Sequence, residues 1–210
     1  NSLILLQVIA DHEETRYPFV RANIPIYLIP IIHHTLLRPE SEHIMGVVMA
    51  IFSSLVKTSS NSSTDNSSHQ QSSASQQLRF SKTKSTASNS ASSSGSSSKG
   101  LQEEDALKSQ EYHEIIDSLI NAEFVSSCLK VLSQSHGLIR VSSAFVLSKI
   151  LTDEKGKKYA FDNKERTIAI LKAFNQILTE LGNNFDQQLS RNIVDAYKAL
   201  LPTQISPASL

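Results

Sequence analysis

Apolar residues recur along most of this chain at the three- and four-residue spacing of a helix. Between Ser41 and Lys57 they are Ile44, Val47, Val48, Ile51, Leu55 and Val56, which fall on one face of a helix introduced by Pro39 and Ser41. Upstream, Leu3 to Ala10 reads as the end of a helix. Asp11 and Glu14 have capping-box spacing and open another that runs towards Arg21. Asn23-Ile24-Pro25 makes a corner, with Pro25 suited to a first helical turn. The next helix extends to about Leu36, with a kink expected at Pro30. Further on, the pattern predicts helices over Tyr112–Ile120, Glu123–Leu132 and Leu138–Thr152. Asp153 caps a short one to Phe161, Arg166–Leu181 stops at Gly182, and Asp186 starts the last, which ends before Pro202. No period-two alternation persists, so the class is all-α.

One stretch occurs twice. Phe19 to Ile32 (FVRANIPIYLIPII) and Leu119 to Leu132 (LINAEFVSSCLKVL) align without gaps, and apolar residues coincide at Phe19/Leu119, Val20/Ile120, Ala22/Ala122, Ile24/Phe124, Leu28/Cys128 and Ile32/Leu132. Each copy is a helix end, a small polar corner and an apolar helix. Such a unit cannot bury its apolar face alone and stacks on neighbours as a helical solenoid. Three helices per unit of forty-odd residues is the armadillo pattern. The architecture expected is an armadillo-type right-handed helical solenoid. It is a partial one, because Asn1-Ser2-Leu3 reads as the middle of a helix. A solenoid offers a long surface for partners, and a binding scaffold is the first inference.

Thr58 to Gly100 is a different material. Nineteen of its 43 residues are Ser, and Leu78 and Phe80 are its only large apolar ones, so it cannot bury enough surface to offset an ordering entropy of roughly 1–2 kcal/mol per residue. It reads as a disordered insertion. The chain therefore divides into repeats over 1–57, the insertion over 58–109 and repeats over 110–210. The 20 basic and 20 acidic side chains cancel, so gross charge selects neither nucleic acid nor membrane. Single Cys128 rules out a disulfide framework within the chain and suits a reducing compartment. The apolar run Ile24–Ile32 is interrupted by prolines and too short for a bilayer.

Chemistry is sparse. His33 and His34 are adjacent, hence about 100° apart on a helix, and cannot ligate one ion together. The serines form no Gly-x-Ser-x-Gly elbow, and the six glycines form no phosphate loop. Cys128 has no base nearby in sequence and reads as core. No catalytic residue, metal or cofactor is expected. One cluster stands out: Lys155, Lys157, Lys158, Lys164 and Arg166 surround a helix corner and could contact phosphates or an acidic peptide. The competing reading is a solvated corner balanced by Asp153, Glu154, Asp162 and Glu165.

Several short segments resemble one family, in order along the chain. They are NSLILLQV at Asn1–Val8, Glu14-Thr15-Arg16 followed by Phe19, Ala22-Asn23-Ile24-Pro25, Leu55-Val56-Lys57-Thr58, Cys128-Leu129-Lys130-Val131 and Ala144 to Leu151 (AFVLSKIL). Glu165-Arg166 and the region Leu189–Tyr197 extend the match. The family is the "required for cell differentiation" (Rcd-like) armadillo subunit of the Ccr–Not mRNA deadenylase complex. The resemblance implies an armadillo domain without catalytic activity. It also implies docking on the large Not scaffold subunit, recruitment of regulators that carry short linear motifs, and a role in mRNA deadenylation and decay. Some members homodimerise or bind nucleic acid. A cytoplasmic location, extending to the nucleus, follows from the same resemblance.

This chain departs from the family pattern. It starts about a third of the way in, stops before the final helices and carries the Ser-rich insertion. Animal members also hold a pocket for Trp side chains, and the positions that shape it read here as Ser142, Lys164 and Arg166, of which only the Arg matches. An amine and a hydroxyl make a poor apolar slot for indole. Two alternatives stand beside the resemblance: another armadillo adaptor, and a nucleic-acid-binding repeat that uses the basic corner. Transport receptors of the armadillo type show inner-helix Trp residues, and this chain has no Trp. Because loop closure depends only weakly on length, exchange of Thr58 to about Gln110 for a short Gly-Ser linker is expected to leave helicity and melting temperature nearly unchanged. A loss of several degrees in a thermal scan followed by circular dichroism would show that the segment packs on the body.

Overall fold

A computed structural model describes residues 2–58, 98–182 and 186–201. Most of the Ser-rich tract, residues 59–97, therefore lies outside the described residues. Those described form ten α-helices: α1 (Ser2–Asp11), α2 (Glu13–Arg21), α3 (Ile24–Leu36), α4 (Glu42–Leu55), α5 (Ser98–Asn121), α6 (Phe124–Gln134), α7 (Gly137–Thr152), α8 (Glu154–Phe161), α9 (Lys164–Leu181) and α10 (Gln187–Leu200). A 3-10 turn, Pro39–Ser41, leads into α4. No strand occurs among the described residues. The chain is all-α.

The helices stack with a period of three. The helix pairs α1 and α4, α4 and α7, and α7 and α10 pack together along one ladder. A second ladder runs through α3, α6 and α9, and a third through α2, α5 and α8. Each layer is thus a three-helix unit, consistent with an armadillo-like solenoid. The sequence repeat is also visible in the backbone. Asn23 and Glu123 both take left-handed conformations, at φ 56° and 55°, and each is the residue just before its apolar helix. The hydrogen bonds match as well: the Ala22 amide donates to Pro18 O and that of Ala122 to Ser118 O, both at 3.0 Å. Asn tolerates this region better than Glu, so the second corner carries backbone strain that the first relieves by residue choice. The third corner, before α9, is built differently. Asn163 is extended there, and its side chain accepts from the amides of Glu165 and Arg166.

One continuous core fills the stack. Phe52 of α4 lies on Phe124 of α6 with ring centroids 3.9 Å apart and planes 25° from parallel, and both rings are fully buried. Met49, Ile51, Leu119, Leu132, Leu147, Ile150 and Phe174 are buried beside or beyond them. Cys128 is part of the same core, where burial pushes its thiol well above the usual range. Gly156 lets α8 approach α7 closely. A Cβ there would sit 1.7 Å from the Ile150 carbonyl oxygen, so only glycine fits.

Two local expectations change. The Asp11–Glu14 capping box does not form. His12 is the residue before α2, and Asp11 instead accepts from Ser54 Oγ at 2.6 Å and pairs with Lys57 at 3.0 Å. Those two bonds hold its carboxyl below the ordinary carboxylate range, Ser54 contributing most. The helix expected over Tyr112–Ile120 begins at Ser98, because Leu101 to Gln110 continues a helix-favouring sequence into the tract that composition had set aside. Helix α3 holds Pro30 in its interior. On α7, Phe145 is only half-buried, whereas Leu147 and Ile150 are inaccessible.

The stacked pair is buried completely and the Phe145 ring only in part, so the two positions should differ in what their rings contribute. Phe124→Ala is expected to cost about 3–5 kcal/mol and Phe145→Ala distinctly less. Urea denaturation of both variants checks this; equal midpoints would contradict the assigned burial.

Candidate functional site

Helix α7 shows two faces. Ala144, Val146, Leu147, Ile150 and Leu151 are buried. Phe145, Lys149 and Thr152 recur at intervals of four and three residues and form a stripe on the other side, with the buried Ser148 at its edge. Helix α10 repeats the arrangement. Leu189, Ile193, Ala196 and Leu200 enter the core, while Gln188, Arg191, Asn192, Asp195 and Lys198 make a second stripe. Because α7 and α10 are neighbours in the same ladder, the stripes border a groove of about 570 Å³. Lys157 of α8 joins its lining.

Polar side chains fix the floor of this groove. Asn192 is buried and donates to the Val141 carbonyl at 3.3 Å, which ties α10 to α7. Gln188 donates to Asn192 Oδ1 at 3.2 Å. The hydroxyls of Ser148 and Thr152 turn back onto carbonyls of their own helix, at 2.8 and 2.7 Å. The cations remain outward. Lys149 Nζ lies 5.7 Å from the centre of the Phe145 ring. Lys157 pairs with Glu154 at 2.9 Å, and Lys198 stands 3.9 Å from Asp195 with its side chain 71% exposed. Four cations against Asp195 make the groove electropositive.

The position of Lys157 depends on how α8 is anchored. Asp153 is buried at the α7–α8 corner; one of its oxygens accepts from the Lys155 amide at 2.9 Å and the other meets His113 Nδ1 of α5 at 2.5 Å. Lys155 Nζ makes a second link to α5, through Asp117 at 3.2 Å. Beside this pair, burial and the Asp153 charge push the Tyr112 phenol up to about 12.

The basic corner read from the sequence is thus divided by the fold. Lys155 is turned to α5 and Lys157 to the groove, while Lys158 and Lys164 are exposed. Arg166 is half-buried. Its guanidinium lies 3.6 Å over the Tyr159 ring and donates to the Tyr159 carbonyl at 2.5 Å. Lys164 and Arg166 come together at the start of α9, with Tyr159 as the ring beside the arginine; Ser142 sits half-buried on α7. His33 and His34 are both exposed, and His33 Nε2 is 3.1 Å from Ser127 Oγ across the α3–α6 contact. The sequence reading missed Lys149, Arg191 and Lys198. Lys149 lies about forty residues before the other two, and the signal for Arg191 and Lys198 is the polar stripe of α10 at helical spacing.

Another cation works purely as a clasp. Arg16 donates to the carbonyls of Ala10, Asp11 and Lys57, at 3.2, 3.0 and 2.8 Å, and so satisfies the C-terminal ends of α1 and α4 together. This accounts physically for an Arg in the Glu14-Thr15-Arg16 segment.

Comparison with known proteins now identifies the lineage. The Cell differentiation family, Rcd1-like, matches residues 1–71 and 104–209. The chain belongs to this family. It is 22% identical over 200 residues to "Cell differentiation protein rcd1" of Schizosaccharomyces pombe, which covers 95% of this chain and 52% of that protein. It is 22% identical over 181 residues to "Protein CAF40" of Saccharomyces cerevisiae, which covers 86% of this chain and 35% of that protein. The chain thus spans about half the length of the first relative and about a third of the second. The match resumes at residue 104, inside α5, and so covers the layers that build the groove. No helix among the described residues of this Rcd1-like chain is long and apolar enough to cross a membrane.

Removal of the buried cap should be felt directly. Asp153→Ala is expected to cost about 1–2 kcal/mol, and His113→Ala, whose ring is half exposed, less. Chemical denaturation measures both; an Asp153→Ala midpoint equal to that of the unmodified protein would remove the cap from the account of α8.

Proposed function

We propose that this chain is part of a non-catalytic adaptor subunit of the Ccr–Not mRNA deadenylase complex. In this reading it docks on the large Not scaffold subunit and recruits regulators through short linear motifs. Membership of the Rcd1-like family over both sides of the insertion is the observation that carries the reading. The three-helix stacking supports it, because a ladder of exposed helix faces suits contact with extended partners. Residues 1–57 and 110–210 act as two blocks of repeats that share one core, with the Ser-rich insertion between them. The work is cytoplasmic and extends to the nucleus. Homodimerisation and weak nucleic-acid binding are secondary properties in this reading.

Recruitment here does not run through insertion of Trp beside Ser142, Lys164 and Arg166. The Tyr159 ring lies against the Arg166 guanidinium, and Lys164 is an exposed amine where an aromatic wall would be needed. Affinity purification of the tagged full-length protein, with identification of the largest associated chain, tests the assignment. The Not scaffold subunit is expected, and the set of recovered regulators is expected to be the same for Arg166→Ala. Recovery without any deadenylase subunit would refute the assignment.

A further inference from the structure

We infer that the groove between α7 and α10 is a docking site for an acidic peptide segment. The inference rests on the adaptor reading and names the chemistry of one class of its motifs. Phe145 supplies a half-buried apolar side to the groove, and Lys149, Lys157, Arg191 and Lys198 supply cations from three separate helices. The facing carboxylates are Asp195, between the α10 cations, and Glu154, on Lys157. These neutralise part of the charge and leave Lys149 and Arg191 to be complemented by a partner. Arg191 is exposed and can fork onto a carboxylate. Charge complementarity therefore selects a segment rich in Asp or Glu, with an apolar side chain to meet Phe145.

Single-stranded nucleic acid fits the same surface less well. Binding of that kind combines phosphate contacts with ring faces on which successive bases stack. Among the described residues Phe145 is the only aromatic one lining the groove, and Lys149 is placed over its ring. The floor residue Asn192 already spends its amide on Val141 and its oxygen on Gln188, which leaves little to read base edges. The groove offers charge and one apolar contact, which is what an acidic peptide requires.

Fluorescence anisotropy of the whole chain with a fluorescein-labelled oligoglutamate carrying one central leucine tests this. Expected are saturable binding, weakening as salt is raised, and a loss of about tenfold or more for Arg191→Glu combined with Lys198→Glu. Both side chains are exposed, so the fold should persist, and the circular dichroism spectrum checks it. Lys158→Glu with Lys164→Glu, which changes the corner outside the groove, is expected to leave peptide affinity within about twofold. No binding, binding indifferent to the groove reversal, or tighter binding of an oligouridylate of equal charge would each overturn the inference. Failure of the adaptor reading is seen separately: the purified chain would bind the peptide, yet the tagged protein would recover no deadenylase subunit.

Discussion

Burial of each helix by the helix three places further along is the constraint on which everything else depends. Helices α4 and α7 are too apolar to stand alone, and each is covered on two sides within one ladder. The Phe52–Phe124 stack ties that ladder to the neighbouring one, so that α4 and α6 form one core although the Ser-rich tract separates them in sequence. At roughly 25 cal/mol per Å² of apolar surface removed from water, such rings are among the largest single contributions in the core. The stack also explains how an insertion of this size is accommodated. The contacts that join α4 to α6 and α7 are made by residues on either side of that tract.

Polar groups then set the details that apolar stacking leaves free. Arg16 gathers three carbonyls at two helix ends, Asp153 caps α8 and holds His113, and Asn192 binds α10 to α7. Each is a buried or half-buried group whose partner lies on another helix. A solenoid held only by apolar ridges could slide; these bonds fix the register between layers. The same bonds decide which lysines reach the groove. Lys155 is drawn to Asp117 on α5, and Lys157, two residues on, reaches the other side of α8. The surface that the family membership leads one to search for partners is thus positioned by buried polar contacts one layer below it.

Helical periodicity, the doubled FVRANIPIYLIPII/LINAEFVSSCLKVL pattern and the colinear short segments were enough to determine the all-α class, the stacking principle and the family. They succeed because they report local burial, and in a solenoid the contacts are between near neighbours in sequence order. Asp153, Asp186 and Asn163 cap helices as their residue types suggest, since capping is also local. The tertiary structure alone decided the rest. Asp11 was diverted from its capping box by Ser54 and Lys57, which lie more than forty residues away. Phe145 packs against the edge of the core and lines the groove beside the polar stripe of α10. The electropositive groove collects Lys149, Lys157, Arg191 and Lys198 from three helices, while the lysine cluster evident in the sequence is turned in different directions. Charge runs are visible in one dimension, but a surface is made by which helices stand side by side, and that follows from packing.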